Sequence, residues 1–137
     1  MLFSGRRRAQ ATLELALVIP GLLLGLFLIT AVGLVARADG EVAGVAVEAA
    51  RAGALVASDS DVDQAATDRA AAVAIAYGMA LHRLNVAVDA SNFHRGGSVR
   101  VEVTYQLPLD SLALIGWGTI ELQHHAVEPV DLFRSLP

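Results

Sequence analysis

Residues 15–35 read LALVIPGLLLGLFLITAVGLV, a run of 21 residues with no charged side chain and with Thr30 as its only polar one. An α-helix rises about 1.5 Å per residue, so this run would form roughly 31 Å of helix. That length matches the hydrocarbon core of a bilayer, which is about 30 Å thick. The run therefore predicts one membrane-spanning helix near the N-terminus.

The charges on either side of this run indicate its direction across the membrane. Three arginines, residues 6–8, precede it, whereas Asp39, Glu41 and Glu48 follow it. Positively charged flanks stay in the cytoplasm, so we expect the N-terminus inside and everything after Val35 outside. The formal net charge is −4. Because residues 6–8 contribute +3 to it, the rest of the chain carries about −7.

A cleaved secretory signal peptide is the alternative interpretation of the same run. Ala36-Arg37-Ala38 has the A-x-A form that a signal peptidase accepts. Against this, the apolar run is longer than the roughly 7–15 residues of a typical signal-peptide core. The length favours a retained anchor.

Glu14 directly precedes the apolar run. A carboxylate without a partner at the edge of a membrane helix costs on the order of 1–3 kcal/mol of insertion free energy. Chance placement is one interpretation of this residue. Its surroundings favour another: residues 9–18 read AQATLELALV, with the arginines before them and with Pro20 and a Leu-rich stretch after them. This segment resembles a type IV prepilin-like signal. More closely, it resembles the N-terminus of the TadE-like family of minor pilins and pseudopilins of tight-adherence (Flp) pilus systems.

The resemblance implies cleavage between Ala9 and Gln10, which makes Glu14 the fifth residue of the mature chain. It also implies that the amine freed at Gln10 pairs with Glu14, in the same chain or on a neighbour, and so favours one register of assembly. Two positions depart from the family pattern, since Ala9 replaces the usual Gly and Leu15 replaces an aromatic residue. The implied partners are the lipid bilayer, a prepilin peptidase, other pilin or pseudopilin subunits and the pilus assembly machinery.

The turn around Pro20 is the expected irregularity of the membrane helix. Pro20 removes a helical hydrogen bond and Gly21 loosens the same turn, so we expect a local bend there. Gly25 and Gly33 add places where a second helix can approach closely, although glycine is common in apolar helices.

Two helices are expected in the exported part. Small apolar residues recur at helical spacing from Arg37 to Ala57, so a stalk continues the membrane helix. Its smooth face packs either on its own domain or on neighbouring subunits. The polar residues 58–63 predict the start of a second helix, with Ser and Asp oxygens accepting backbone N–H bonds. This second helix is expected to run to about Arg83.

Beyond Leu84 apolar residues recur at every second position, which predicts β-strands. The expected strands are a short one at residues 86–89, Val99–Leu107 and Thr119–Val127, with residues 91–98 as a hairpin loop. Residues 109–118 form an apolar connection whose large side chains either cover an end of the sheet or contact a membrane: Leu112, Leu114, Ile115 and Trp117.

Together these segments predict an α+β fold with a long N-terminal transmembrane and stalk helix, a second helix and a small three-stranded antiparallel sheet. With the cleavage site implied by the resemblance, residues 1–9 are a basic leader that is removed. Residues 10–36 are then the transmembrane helix, and residues 37–137 are the extracytoplasmic domain.

Few chemistries fit the remaining residues. The chain has no Cys, which excludes disulfides and thiolate sites, and its acidic body lacks the basic face that nucleic acid would need. The chain has four His residues, His82, His94, His124 and His125. The adjacent His124 and His125 would point to opposite faces of a strand, which makes them a poor chelating pair. No motif for phosphate binding or nucleophilic catalysis occurs. We therefore expect no enzymatic activity, metal, cofactor, small-molecule substrate or nucleic-acid partner.

Two functions remain open. One is a pilin-like structural or assembly protein, a minor pilin or pseudopilin of a tight-adherence-type pilus or related secretion system, which sits in the cytoplasmic membrane or in a surface pilus. The alternative is a membrane-anchored or secreted extracytoplasmic binding module unrelated to pili. The N-terminus of the mature protein separates them, because Gln10 indicates a processed pilin, Asp39 a removed signal peptide and Met1 a simple anchor.

Overall fold

The computed structural model describes the backbone of residues 3–110 and 118–131 and the side chains of residues 14–110 and 118–131. Its helices are α1 (Phe3–Leu55) and α2 (Val62–Ala76), with short 3-10 turns at Asp59–Asp61 and Leu81–Arg83. Its strands are β1 (Leu84–Asp89), β2 (Ser98–Pro108) and β3 (Thr119–Pro129). This order of elements confirms the predicted α+β fold, with a long N-terminal helix, a second helix and a three-stranded antiparallel sheet.

The chain divides into two compact units, Met1–Val35 and Ala36–Pro137. Helix α1 contributes to both of them, with residues 3–35 in the first unit and residues 36–55 in the second. The second unit also contains α2 and the whole sheet. The two parts of α1 therefore have different surroundings within their own units.

The sheet is a meander in the order β1-β2-β3, with both pairs antiparallel. Val103 in the central strand pairs with Val86 on one side and with His124 on the other. The alternation predicted for β2 is present, because Val99, Val101 and Val103 are fully buried while the residues between them are exposed or half-exposed. One face of the sheet thus faces the protein interior and the other faces outward.

The second part of α1 packs small apolar residues into the core. The buried ones are Ala38, Val42, Val45, Ala46, Ala49, Ala50 and Ala54. Their short side chains let the helix backbone approach its neighbours closely: a Cβ added to Gly53 would lie 3.2 Å from Val99 Cγ1 and 3.3 Å from Val62 Cγ1. This face of the predicted stalk packs on its own domain, while Val47 and Leu55 are exposed.

The second helix is shorter than predicted. Helix α2 ends at Ala76 and not near Arg83. Gly78 takes a φ of +75°, which a glycine adopts without steric cost. This lets the Met79 N–H donate to the Ala74 carbonyl oxygen at 2.9 Å in a Schellman-type ending. The residues beyond it therefore form a separate 3-10 turn that leads into β1.

The turn before α2 lies where it was predicted, but its hydrogen bonds differ. Neither Ser58 nor Asp61 makes a side-chain capping bond. The Ser58 hydroxyl instead bonds the Ser60 hydroxyl at 2.8 Å, and the Asp61 N–H donates to the Ser58 carbonyl oxygen at 3.1 Å. Backbone bonds, and not the expected side-chain caps, start the helix.

Some sequence-based expectations fall outside the described residues. The four residues expected to cover the sheet or contact a membrane lie there: Leu112, Leu114, Ile115 and Trp117. The side chains of Ala9 and Gln10 also lie outside the described part, although their backbone belongs to α1.

Candidate membrane-anchoring and assembly segment

Residues 15–34 of α1 carry twelve large apolar side chains with exposed fractions between 37% and 83%. Leu17 and Ile29 are the most exposed of them. Within the described residues, one helical stretch, Glu14–Leu55, is long and apolar enough to cross a membrane by length and composition. Only 6% of its most apolar window is buried, whereas a core helix of a soluble protein would bury most of its residues.

The exposure of this apolar surface to water is costly in free energy. Removing one fully exposed Val, Leu or Ile side chain from water stabilises by about 1.5–3 kcal/mol, so twelve partly exposed ones represent on the order of 10–20 kcal/mol. A whole domain is typically stable by only about 5–15 kcal/mol. An apolar environment, such as lipid or the apolar surface of other chains, would relieve this cost.

The polar groups of the segment are suited to such an environment. Thr30 has the only polar side chain between residues 15 and 35, and its Oγ1 donates to the Leu26 carbonyl oxygen at 2.9 Å. The backbone forms one helix, so its interior N–H and C=O groups pair within it, except at Pro20, which has no N–H to donate. The Thr30 hydroxyl thus needs no partner outside the helix.

Pro20 and the glycines lie within this helix. Helix α1 runs through Pro20 without interruption, and the bend expected at Pro20 and Gly21 stays a prediction. A Cβ added to Gly21, Gly25 or Gly33 would meet no heavy atom within 4 Å. These positions are therefore open indentations on the exposed helix surface.

The three residues tied to processing and assembly lie on consecutive turns of α1. Glu14 is exposed, and the bond between Ala9 and Gln10 is part of the helical backbone. Gln10 and Glu14 are four positions apart, which places them on one side of the helix about 6 Å apart along its axis. An amine at Gln10 would therefore be within one turn of the Glu14 carboxylate. Cleavage and pairing stay predictions.

The charges that follow the apolar run are paired locally. The Arg37 Nε donates to Glu41 Oε1 at 2.7 Å, and this hydrogen bond raises the pKa of Arg37. Farther along, Arg69 Nη2 donates to Glu48 Oε2 at 2.6 Å, and this bond lowers the pKa of Glu48. Arg37 is thus offset by a carboxylate one turn away, so the flank after residue 35 is not basic.

One contact between α1 and β3 was not predicted from the sequence. His124 Nε2 in β3 lies 2.8 Å from Asp39 Oδ1 in α1, and both side chains are partly exposed. The two residues are 85 positions apart, and neither has a motif around it that would have indicated the pair. The contact fixes which part of β3 lies beside the beginning of the second part of α1.

The histidines do not gather into a site. His125 is exposed on the sheet face opposite to His124, as strand geometry predicts. His94 makes its contact within its own loop, where its Nε2 lies 2.8 Å from Asn92 Oδ1. Across residues 14–110 and 118–131, no three His, Asp or Glu side chains lie close enough together to hold a metal ion.

An open cavity of about 300 Å³ lies where the end of α1 meets the end of β3. Its lining residues are Arg51, Ala54, Leu55, Glu128, Pro129 and Asp131. This lining combines apolar groups with charges of both signs and contains no hydroxyl or imidazole. Its charged groups are one guanidinium and two carboxylates.

The candidate site thus consists of an exposed apolar helix with a carboxylate at its start and an acidic domain after it. No protein-family model matches the chain, and no curated protein and no solved structure is significantly similar to it. A function has to be derived from the residues and geometry of the segment itself.

Proposed function

We propose that this chain is a pilin-like assembly protein, a minor pilin or pseudopilin of a tight-adherence-type pilus or a related secretion system. It is held in the cytoplasmic membrane by the first part of α1, with its N-terminus inside and its α+β domain outside. One observation carries the proposal: the large apolar side chains of residues 15–34 are exposed, with Glu14 at their start and three arginines before it.

The exposed apolar surface suits a subunit that exchanges lipid contacts for protein contacts. Lipid tails and packed apolar side chains are similarly apolar, so moving such a helix from a bilayer into a bundle of like helices loses little hydrophobic energy. Close packing between helices then decides the balance. The open indentations at Gly21 and Gly25 favour that packing, because a neighbouring backbone can approach them.

Glu14 would set the register of this assembly. A carboxylate in low-dielectric surroundings is penalised unless it has a partner of opposite charge. After cleavage between Ala9 and Gln10, the new amine at Gln10 supplies such a charge on every subunit. Axial shifts that move the amine away from Glu14 lose the attraction between these opposite charges, so the paired register is favoured.

The mature N-terminus tests the proposal most directly. The protein is extracted from membranes of cells with and without the prepilin peptidase and sequenced from its N-terminus. We expect Gln10 as the first residue when the peptidase is present and an uncleaved leader when it is absent. A chain that begins at Asp39 in both strains would have lost residues 15–35 with a signal peptide, and the proposal would be wrong.

The role of Glu14 has a separate test. We expect Glu14→Ala to leave membrane insertion intact and to reduce surface pili at least tenfold, because the register-setting charge is lost. Glu121→Ala is the matched control, since Glu121 is an exposed carboxylate on β3 far from residue 14 in sequence. Wild-type levels of pili in the Glu14→Ala strain would refute this role.

A further inference from the structure

The proposed cleavage site lies inside a helix and not in a loop. Helix α1 begins at Phe3, so about two helical turns precede the bond between Ala9 and Gln10. In the α-helical pattern, the Ala9 carbonyl oxygen accepts from the Leu13 N–H and the Gln10 N–H donates to the Arg6 carbonyl oxygen. Both hydrogen-bonding groups of this peptide bond are therefore engaged within the helix.

A peptide bond held in this way is a poor substrate for hydrolysis. The reaction breaks the C–N bond, adds the elements of one water, and leaves a carboxylate at Ala9 and an amine at Gln10. The attacking oxygen has to approach the carbonyl carbon, and donors of the peptidase have to reach the carbonyl oxygen. In the helix that oxygen already has a donor. The turn that contains the bond therefore has to open before cleavage.

The beginning of α1 combines several features that make opening easy. The N–H groups of a first helical turn have no partner within the helix, so helix ends fray. The first turn of α1 contains no acidic residue, and residues 6–8 are arginines close to the positive end of the helix dipole, where cations are unfavourable. Gly5 belongs to the same turns, and glycine is a weak helix former.

The helix becomes stronger directly after the proposed cut. Residues 9–18 read AQATLELALV, in which Ala, Gln, Leu and Glu are all good helix formers. The apolar run follows, and opening the backbone there would leave polar groups without partners in an apolar environment. Opening that starts at Phe3 is therefore expected to stop near Gln10, at the border between a weak and a strong part of the helix.

We propose that the first two turns of α1 open and close before processing, and that the fraction of chains in the open form sets the rate of cleavage. The proposal rests on the function proposed above. Helices of this size open and close within about a microsecond, whereas enzymes turn over about 1–1000 times per second. Cleavage then follows the equilibrium population of the open form. The arginines thus act twice, by holding the leader inside and by weakening its helix.

Helix propensity at residue 5 tests the proposal without a change of charge. The uncleaved full chain is incubated in detergent with purified prepilin peptidase, and the initial rate of cleavage is measured by mass spectrometry. We expect Gly5→Ala to slow cleavage about three- to fivefold and Gly5→Ser to fall between this variant and the wild type. Gly40→Ala is the matched control, because Gly40 is exposed and an added Cβ there meets no heavy atom within 4 Å. Its rate should equal that of the wild type.

Charge in the first turn gives an independent test. Ser4→Glu places a carboxylate where the helix dipole favours it, whereas Ser4→Gln changes the size of the side chain without adding charge. We expect cleavage of Ser4→Glu to be about twofold slower than that of Ser4→Gln at low salt. The difference should disappear at about 1 M salt, where the Debye length is about 3 Å. Equal rates at low salt would overturn the electrostatic role of the first turn.

Amide hydrogen exchange of the uncleaved chain without peptidase measures the open form directly. We expect Gly5→Ala to slow exchange at Gln10 by the same factor as cleavage. A slower cleavage with unchanged exchange would assign the effect to contacts with the peptidase and overturn the inference. Equal cleavage rates in all variants would overturn it too, and would leave the proposed function intact. A wild-type chain that is never cut between Ala9 and Gln10 would instead overturn the proposed function and, with it, this inference.

Discussion

The two parts of α1 differ in the size and the exposure of their apolar side chains. Residues 15–35 carry mostly Leu, Ile and Val, and of these side chains all but Val35 are exposed. Residues 36–55 carry mostly Ala with some Val, and the apolar face they form is buried within the unit Ala36–Pro137. Side-chain size therefore follows burial: small residues lie where the helix backbone approaches its own chain, and large ones lie where the helix surface is exposed.

The polar contacts of the two parts show the same difference. In residues 36–55, Asp39 and Glu48 reach side chains of β3 and α2. In residues 15–35, the single polar side chain, Thr30, bonds back to its own helix. The second part is thus stabilised by contacts within the chain, whereas the proposed anchoring would surround the first with a bilayer or with other chains. This contrast yields four predictions, ordered by expected effect.

Charges placed in the first part should have the largest effect. Leu22 and Leu26 are both more than half exposed, and each Arg near the middle of a span costs about 2.5–3.5 kcal/mol of insertion free energy. We expect Leu22→Arg combined with Leu26→Arg to abolish resistance to alkaline extraction from membranes. Leu55→Arg, at an equally exposed position in the second part, should leave extraction unchanged. Full integration of the double variant would mean that lipid does not surround this part.

A larger side chain in the second part should act on folding and not on insertion. Ala50 is fully buried, so Ala50→Leu overpacks the contact between α1 and its own domain and is expected to cost about 1–3 kcal/mol. The measurement is urea unfolding of the full chain in detergent, followed by near-UV circular dichroism. The reverse exchange, Leu24→Ala, should leave the unfolding midpoint unchanged. A midpoint shift in Leu24→Ala would show that the first part also packs on the domain.

Much of the fold was predictable from patterns that are local in sequence. The alternation from Val99 to Leu107 predicted β2, found at Ser98–Pro108, and the run starting at Thr119 predicted β3 with only its last two residues missing. Both patterns reflect a sheet with one buried face. Each strand could therefore be predicted without knowing which elements it packs against. The uncharged length of residues 15–35 likewise predicted the apolar helix.

Other features depend on backbone conformation or on distant partners. The apolar helical pattern continues past Ala76, but Gly78 ends α2 by taking a left-handed conformation that the pattern does not reveal. The pair of Asp39 and His124 joins residues that are 85 positions apart. No local signal indicates such a pair, so the direction of the sheet along α1 was also not predictable.

Acid should weaken the second part of α1 through Glu48. The hydrogen bond from Arg69 lowers the pKa of Glu48 below its ordinary value of 4.5. The contribution of Glu48 to stability is therefore complete above pH 4.5 and is lost as the pH falls through the lower pKa of the folded state. We expect the melting temperature to fall in that range, and to fall less steeply in Glu48→Gln.

One residue other than Glu48 also contributes to the effect of acid. Asp89 retains a dependence of its own, because the hydrogen bond from Ser91 lowers the pKa of Asp89, so some slope should remain in Glu48→Gln. An unchanged slope in Glu48→Gln would mean that the bond to Arg69 contributes nothing to stability.

The smallest effect is expected for the pair of Asp39 and His124. The size of their coupling tests where the boundary between the two parts of α1 lies. Their side chains are 50% and 33% exposed, and a pair exposed to water contributes only about 0.2–1 kcal/mol. A double-mutant cycle with Asp39→Asn and His124→Gln, measured by urea unfolding in detergent and again in vesicles, should give a coupling in this range in both. A coupling above about 2 kcal/mol only in vesicles would mean that the pair lies in low-dielectric surroundings there. The apolar environment would then extend past residue 39, and the change from large exposed to small buried side chains after residue 35 would no longer mark the edge of the bilayer.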